Sequence, residues 1–363
     1  MHYFTFGEKD TTLYENSGSL NAGLDEILEI RKDVSDAGDT ISTTRALIRF
    51  DISYISSSIV SNNITNPKFY LNLYDANSQN LSTSQSLYAY PVSQSWTMGD
   101  GRSYDNPVTT EGASWKYRHG VTDGGIWGEA SSSGGTWIDG DGYVASHSMG
   151  HSTTDIRMNV TDIVNRWLEG TVSNEGFLVK RSGSNSLSGS DEGSTTRFGN
   201  LSFFSSDTHT KYPPTLETVW DDSKWSTGSL SALSQANIED MTIYMKGLRP
   251  EYKEKSKVRF RLVGRERFPE KTYSTTPSNL TVKYLPSGSS YYSIKDAETA
   301  DVVVPYGSGS KLSCDSTGNY FNLWLDGYQP ERYYTLEFRV QSGSGVDQTN
   351  QYFDEGFTFK VTQ

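Results

Sequence analysis

The sequence has a single cysteine, few basic residues for its length and no long apolar run. Cys314 has no second cysteine to pair with, which excludes an internal disulfide and a metal site built on cysteines. Stability must therefore come from buried cores or subunit contacts, as expected for folding in a reducing compartment. No segment approaches the roughly 20 apolar residues that cross a bilayer, so membrane insertion is not expected.

The charge balance is acidic. Among 363 residues, 44 Asp and Glu oppose 32 Lys and Arg, which gives a formal net charge of −12. Such a chain repels phosphate backbones, so nucleic acid is not an expected partner. Residues 1–10 lack the basic and apolar segments of a secretory signal, although the composition is typical of outward-facing β proteins. This combination predicts a protein that folds in the host cytoplasm and leaves in a virus particle.

Two zones with the composition of β proteins flank a polar, turn-rich segment at residues 220–229. We therefore predict one domain at residues 1–224 and another at residues 225–363. In the first zone, short apolar runs are separated by turn residues, a pattern that is typical of sandwich strands. These runs lie at 46–52, 69–74, 87–92 and 176–180. We predict a jelly-roll-like β-sandwich for this domain.

The second zone has a clearer period of two. Residues 258–263 and 334–340 alternate apolar with charged or polar side chains, so each strand has one solvated face. Further strands are predicted at 241–245, 280–284, 291–294, 302–304, 321–325 and 357–361. Short strands separated by Pro-Ser-Gly and Ser-Gly-Ser turns predict an immunoglobulin-like or jelly-roll sandwich. The whole chain is therefore predicted to be all-β with two β-sandwich domains.

One short helix is predicted near residues 161–169. Thr161 is the expected N-cap, and Gly170 supplies the left-handed residue that follows many helices. The apolar residues Ile163, Val164, Trp167 and Leu168 fall on one stripe. We therefore expect this helix to pack on the end of the first sandwich.

Seven short segments of the first zone share the order and spacing of a known module. They are residues 12–14 (TLY), 26–30 (EILEI), 45–53 (RALIRFDIS), 112–115 (GASW), 160–167 (VTDIVNRW), 174–178 (NEGFL) and 213–217 (PPTLE). Over residues 1 to about 222, the chain resembles the DNRLRE family of β-sandwich modules. These modules occur as wall-anchored or carbohydrate-binding-like domains and in phage virion proteins. The resemblance implies a jelly-roll-like sandwich with a structural or adhesive role, and it carries no catalytic set.

A second resemblance covers residues 291–340. Residues 311–315 (KLSCD) and 319–321 (NYF) are similar to parts of β modules in structural proteins of contractile-tailed phages. This similarity implies a place in a virion without fixing which part of the particle contains the protein.

Long loops between residues 99 and 155 are rich in Gly, Ser, Asp and Trp, and loops on a rigid sandwich often carry function. The candidate contacts for a glycan or a partner protein are Trp96, Tyr104, Tyr117, Trp127, Trp137 and Tyr143. Flat rings of this kind stack on sugars, with nearby Asp and Asn as hydrogen-bond acceptors. The favoured interpretation is that these rings pack in the core or in a subunit contact. Trp115 and Trp167 match family positions and are expected in the core.

Two motifs have the spacing of metal ligands. Asp139 and Asp141 could begin a calcium loop, but Tyr143 occupies the third position and no Glu closes the loop. We predict a turn there, with a weak calcium site completed by distant residues as the alternative, and no other cofactor. His147 and His151 lie in a Gly/Ser-rich segment without the Glu of a zinc helix, which favours an ordinary loop.

Catalytic motifs are missing from the sequence. No Gly-x-Ser-x-Gly elbow joins a strand to a helix, and no glycine-rich loop carries a Walker lysine, so an enzyme is not expected. We predict a virion structural protein: a tail, neck or baseplate accessory component, or a decorating protein. Its expected partners are other virion proteins and copies of itself in a symmetric assembly. The alternative is an adhesin that binds a host-surface glycan through residues 99–155. A bacterial wall adhesin is a third interpretation, which the missing export signal and anchor disfavour.

Overall fold

The computed structural model describes residues 1–34, 41–81, 85–128, 134–150, 153–182, 191–233, 241–269, 273, 282–343 and 345–363. Within these ranges the chain is all-β, as the sequence predicts. It divides into two compact units. The N-terminal unit comprises Thr5–Ser58 and Lys68–Thr218, and the C-terminal unit comprises Met1–Phe4, Ile59–Pro67 and Val219–Gln363.

The division between the units falls between Thr218 and Val219, whereas the sequence predicts a single cut after residue 224. The C-terminal unit also includes the first four residues of the chain. Phe4 lies in the core of this unit, with its ring centroid 6.3 Å from that of Tyr328. Hydrophobic periodicity gives no signal for a short segment that packs against residues more than 300 positions away.

The N-terminal unit contains a ten-stranded sheet system, apart from residues 2–4 of its first strand and Val219 of its last, which belong to the C-terminal unit. Its strands are β1 (His2–Tyr14), β2 (Ile27–Val34), β3 (Ile41–Phe50), β4 (Lys68–Leu73), β5 (Gln85–Pro91), β6 (Ala145–Met149), β7 (Ile156–Asn159), β8 (Phe177–Arg181), β9 (Gly199–Phe204) and β10 (Thr215–Val219). Their order is β6-β5-β8-β3-β1-β10-β4-β7, with β2 paired to β3 and β9. Residues 41–43 of β3 pair with β2, and residues 44–50 pair with β1. A strand that changes partners in this way forms a corner of a sandwich.

Helix α2 spans Thr161–Leu168 and confirms the predicted helix. Its apolar stripe is buried, and the Trp167 ring lies 4.6 Å from that of Phe177 on β8. Gly170 has the expected positive φ of 72°. The predicted N-cap is wrong: Val160 occupies that position, and no side chain caps the helix. The hydroxyl of Thr161 instead accepts a 2.9 Å hydrogen bond from the backbone N–H of Phe69, because β4 offers it a free donor.

A second helix, α1, spans Ser53–Val60 and corrects the prediction of only one helix. The Asp51 carboxylate accepts hydrogen bonds from the backbone N–H and the hydroxyl of Ser53, at 2.9 and 3.0 Å. An acceptor just before the first turn compensates for the weak helix propensity of the Ser, Ile and Val residues that follow. Among the described residues, no helix has the length and apolar character that would be needed to cross a membrane.

The C-terminal unit consists of two sheets. Its strands are β11 (Ser231–Ala232), β12 (Met241–Lys246), β13 (Glu251–Lys253), β14 (Lys257–Glu266), β15 (Lys283–Tyr284), β16 (Ser290–Asp296), β17 (Val302–Val304), β18 (Ser313–Asp315), β19 (Gly318–Trp324), β20 (Tyr333–Ser342) and β21 (Thr349–Thr362). The six-stranded sheet has the order β11-β15-β14-β19-β18, with β12 on β14, and the five-stranded sheet has the order β13-β21-β20-β16-β17. Short 3-10 helices lie at Ser308–Ser310, Leu325–Gly327 and Gly345–Asp347.

Aromatic rings from both sheets fill the core of the C-terminal unit. Phe321 on β19 lies 5.2 Å from Phe260 on β14, within the six-stranded sheet. It also lies 4.3 Å from Tyr292 on β16 and 6.0 Å from Phe338 on β20, which belong to the five-stranded sheet. Contact between the inner faces of two sheets through such rings defines a β-sandwich. The period of two in β14 and β20 therefore places alternate residues in this core, as predicted.

Candidate functional site

The tryptophans of the predicted loop zone are buried and do not form a surface. Trp96, Trp127 and Trp137 are only 3%, 1% and 8% exposed, and they pack with Trp115 in one cluster. This cluster, which we call the loop core, rests on Leu13, Leu47 and Leu178 of strands β1, β3 and β8. Rings in this position cannot stack on a sugar, so Trp96, Trp127 and Trp137 are removed from the glycan candidates. These three rings pack in the core of the unit, which was the favoured interpretation of the sequence.

Asn21 holds the loop segment in place. Its amide N–H groups donate hydrogen bonds to the carbonyl oxygens of Met98 and Ala113, at 2.7 and 2.9 Å. Its amide oxygen accepts from the backbone N–H of Gly101, at 2.8 Å. The backbone approaches Asn21 so closely that a Cβ on Gly112 would lie 2.6 Å from its amide nitrogen. The loop segment is therefore an ordered layer that is tied to the start of the chain.

We expect Asn21→Ala to lower the free energy of unfolding by about 2 kcal/mol, because it leaves buried backbone groups of the loop without partners. Urea denaturation followed by tryptophan fluorescence measures this loss. Asn16→Ala, at an exposed asparagine of the same unit, is the matched control and should change stability by less than about 0.5 kcal/mol. Equal stability of the two variants would show that the Asn21 hydrogen bonds do not hold the layer.

A buried group of charges lies beside the loop core. The Arg45 guanidinium donates two hydrogen bonds to the Glu192 carboxylate, at 3.1 and 2.9 Å, and Lys180 Nζ lies 2.9 Å from the same carboxylate. The side chains of Lys180 and Glu192 are fully buried, and that of Arg45 is 2% exposed. The Arg45 guanidinium also lies 4.8 and 5.0 Å from the rings of Trp115 and Trp137. All these contacts are internal, so the group stabilises the unit and is not accessible to a ligand.

The three tyrosines among the candidates have different environments. Tyr104 is 72% exposed, whereas Tyr117 and Tyr143 are half-buried. The Tyr143 ring lies 5.3 Å from the Arg166 guanidinium, and the Tyr117 ring lies 5.4 Å from Lys116 Nζ. Both rings therefore have a face occupied by a cation of the same chain. Tyr104 is the candidate whose ring is free for a ligand.

Tyr104 lines a groove of the N-terminal unit with a volume of about 440 Å³. The groove lies between the segment from Leu24 to Arg31, which leads into β2, and residues 102–104. Its charged and aromatic lining consists of Tyr14, Asp25, Glu26, Glu29, Arg31 and Arg102, together with Tyr104. The volume falls within the roughly 300–1,000 Å³ that is usual for small-molecule sites. We refer to it as the Tyr104 groove.

The inner part of the Tyr104 groove is formed by Tyr14 and Glu29. Burial and the adjacent Glu29 carboxylate raise the pKa of Tyr14, so its hydroxyl stays neutral at physiological pH. Glu29 also accepts a 3.0 Å hydrogen bond from the Asn200 amide. Arg31 lines the same groove, and its buried Nε has no hydrogen-bond partner among the described residues. The wall therefore carries a tyrosine hydroxyl that is hydrogen-bonded to a carboxylate, together with the guanidinium group of Arg31.

The rim is held by hydrogen bonds within residues 102–105 and to Asp25. The backbone N–H of Ser103 donates to both Asp25 oxygens, at 3.1 and 3.2 Å. Burial raises the pKa of Asp25, and the hydrogen bonds from Ser103 oppose this rise. The Arg102 guanidinium donates a 3.0 Å hydrogen bond to the Tyr104 hydroxyl, and Asp105 accepts from the Arg102 backbone N–H at 2.8 Å. The exposed ring thus has its hydroxyl hydrogen-bonded within the same turn.

The first metal motif lies in a turn. Asp139 and Asp141 are exposed, and Asp139 accepts a hydrogen bond from the backbone N–H of Gly140 at 2.8 Å, as in an ordinary turn. Across the described ranges, no group of three or more His, Cys, Asp or Glu side chains is arranged to hold a metal ion. His147 lies on β6, and His151 lies outside the described residues.

The C-terminal unit carries a partly exposed cluster that the sequence analysis missed. Tyr291 on β16, Arg339 on β20 and Tyr352 on β21 are register partners on adjacent strands, so they share one face of the five-stranded sheet. The Arg339 guanidinium lies 4.8 Å from the Tyr291 ring and 4.7 Å from the Tyr306 ring. Tyr306 and Tyr352 are 5.8 Å apart, and Tyr352 is 56% exposed. We call these four residues the tyrosine–arginine cluster.

The sequence contains a signal for this cluster. In β20 the buried residues Leu336, Phe338 and Val340 alternate with the more exposed Glu337 and Arg339. Period-two alternation therefore places Arg339 on the outer face, but pairing it with particular tyrosines requires the register of three strands. That register depends on contacts across the sheet and is not visible in the sequence.

Comparison with known proteins gives little to add to this geometry. No family model matches the chain, and no curated protein matches it. Among solved structures, a DUF4785 family protein from Legionella pneumophila is similar at 8% sequence identity with a TM-score of 0.20. The alignment covers 99% of this chain and 62% of that protein, so this chain spans less than two thirds of its length. A TM-score this low carries no argument about function.

Proposed function

We propose that this chain is a structural component of a tailed-phage virion, which acts through protein–protein contacts in the tail, neck, baseplate or decorating layer. The observation that carries the proposal is the tyrosine–arginine cluster on the outer face of the five-stranded sheet. Tyrosine and arginine are the residue types that are enriched at protein interfaces and at their energetic centres. The DNRLRE-like order of segments in the N-terminal unit supports the same assignment.

The architecture of the two units fits a structural role without catalytic turnover. Each unit has its own core of strands and aromatic rings, and the buried charges of Arg45, Lys180 and Glu192 are paired with one another. A rigid sandwich of this kind serves as a spacer whose faces make the contacts, and a net charge of −12 keeps such a protein soluble before assembly. Copies are expected to lie symmetrically around the particle axis and to assemble in the host cytoplasm.

Mass spectrometry of purified particles tests this proposal directly. The chain should be present in a fixed ratio to the other virion proteins. A reconstruction of the intact particle would then identify the neighbouring proteins. Recovery of the chain only from host envelopes, and not from particles, would reject the assignment.

We expect Tyr352→Ala to reduce incorporation into particles by about tenfold, because it removes an exposed ring from the centre of the proposed contact. The quantity to measure is the ratio of variant to wild-type chain in particles that are assembled with both. Tyr333→Ala is the matched control, since Tyr333 is a similarly exposed tyrosine on the same sheet outside the cluster. Both variants should retain the wild-type melting temperature. Equal incorporation of the two variants would argue against the cluster as the contact.

A further inference from the structure

We propose that the Tyr104 groove binds a neutral pyranose saccharide, with the Tyr104 ring stacked on one face of the sugar. The site lies entirely within the N-terminal unit and is independent of the tyrosine–arginine cluster. A negative test of this site would therefore leave the structural role proposed above unaffected.

The first argument is the exposed ring. Tyr104 is 72% exposed although it adjoins a groove, and the Arg102 guanidinium holds its hydroxyl at 3.0 Å. An exposed aromatic ring beside a cavity offers an apolar plane to a ligand, and an aromatic side chain with only two rotatable bonds loses little entropy on binding. The C–H faces of pyranose rings match such a plane, whereas a fully polar ligand gains little from it.

The second argument is the arrangement of polar groups around the ring. Carboxylates of Asp25, Glu26 and Glu29 line the groove together with the guanidinium groups of Arg31 and Arg102. Sugar hydroxyls act as both donors and acceptors, so one ligand satisfies both kinds of wall group. The guanidinium group of Arg31, which lines the groove, supplies N–H donors for a ligand oxygen.

The third argument concerns the charge of the ligand. Three carboxylates and two guanidinium groups give the lining an acidic balance, and the whole chain is also acidic. A uronic or sialic acid would meet net repulsion from these carboxylates. The carboxylates outnumber the guanidinium groups by only one. Two of these carboxylates also accept hydrogen bonds already, Asp25 from Ser103 and Glu29 from Asn200. This leaves little to favour a cationic amine, and neutral hydroxylated rings fit best.

The test uses the full chain and a panel of oligosaccharides in three classes: neutral (hexoses and N-acetylated sugars), cationic (amino sugars with a free amine) and anionic (uronate- or sialate-containing). Isothermal titration calorimetry measures binding, and saturation-transfer NMR identifies the sugar protons that contact the protein. We expect saturable binding of at least one neutral member. Tyr104→Ala should weaken this binding by about tenfold or more, whereas Tyr104→Phe, which keeps the ring, should stay within about threefold of wild type.

Two further variants make the outcome decisive. Arg31→Gln should also weaken binding, and Tyr244→Ala, at an exposed tyrosine of the C-terminal unit, should leave it unchanged. Because Tyr104 is largely exposed, its variants should keep the wild-type melting temperature, which confirms folding. The proposal is overturned if no neutral saccharide binds at millimolar concentration, if Tyr104→Ala binds as wild type does, or if anionic or cationic sugars bind in preference. None of these results bears on the presence of the chain in particles.

Discussion

Glu192→Gln is expected to lower the free energy of unfolding by ~3–5 kcal/mol, the range found when a buried ion pair loses one partner. In the native protein, Glu192 accepts two hydrogen bonds from Arg45 and lies 2.9 Å from Lys180 Nζ, with all three side chains buried. The amide of glutamine removes the negative charge and points its N–H groups at a cation. Two positive charges then remain in the core without the carboxylate that they share.

Chemical denaturation monitored by circular dichroism measures this loss, and two controls sharpen it. Glu8→Gln removes an ion pair of the same unit whose side chains are 31% and 47% exposed, and it should change stability by less than about 1 kcal/mol. The double variant Lys180→Met/Glu192→Gln should recover about 1–3 kcal/mol relative to the sum of the single variants, because it also removes one unpaired cation. Strict additivity would contradict the coupling that the geometry implies.

The strands were the most predictable part of the fold. Alternation of apolar and charged residues at 258–263 and 334–340 corresponds to β14 and β20, and both strands place their apolar residues in the core. Such local patterns suffice because the side-chain period of a strand is two, whatever it pairs with. Strands without a strong period were missed, among them β13 and β18, whose three residues each are too short to show one.

Helix α1 shows where local reasoning fails. Residues 53–60 (SYISSSIV) contain serine and β-branched residues, which individually favour turns or strands. The helix forms because Asp51 caps it and because Ile55 is buried. Burial of this kind comes from tertiary contacts, so propensity alone gives the wrong prediction.

The candidate site was hard to predict because its residues are far apart in the sequence. The sequence singled out Tyr104 together with Trp127 and Trp137, because composition alone does not distinguish a ring on a surface from one in a core. The remaining members of the Tyr104 groove, such as Tyr14 and Glu29, lie about 75 to 90 positions away from it. Their convergence depends on the hydrogen bonds of Asn21, which bring Met98 and Gly101 back to the start of the chain.

Asp10 gives the second large effect that we expect, a dependence of stability on pH. Its carboxyl group is 1% exposed on β1, and one oxygen accepts hydrogen bonds from the backbone N–H and the hydroxyl of Ser206, at 2.7 and 2.8 Å. The other oxygen has no partner among the described residues. Burial raises the pKa of Asp10 from 3.8 to about 7, although the Ser206 hydrogen bonds oppose this rise.

The sign of the effect follows from the direction of this shift. Between pH 4 and pH 7 the folded protein keeps the proton that the unfolded chain releases, so the free energy of unfolding falls as the pH rises and levels off above about pH 7. Asp10→Asn removes the titrating group, and its amide nitrogen can occupy the unpartnered position. The variant should therefore lose this slope and be more stable than wild type at pH 8, by ~3 kcal/mol.

Urea denaturation at several pH values between 4 and 8 measures the slope, with Asp51→Asn as the control. The pKa of Asp51 is lowered by its hydrogen bonds from Ser53, so its contribution to stability is lost only as the pH falls below the normal range of a carboxyl group. Asp51→Asn should therefore leave the slope between pH 5 and pH 8 intact. If Asp10→Asn retains the wild-type slope, another buried group must carry the proton. If it is less stable than wild type at pH 8, the charged carboxylate is favourable in the fold, and burial does not dominate its energetics.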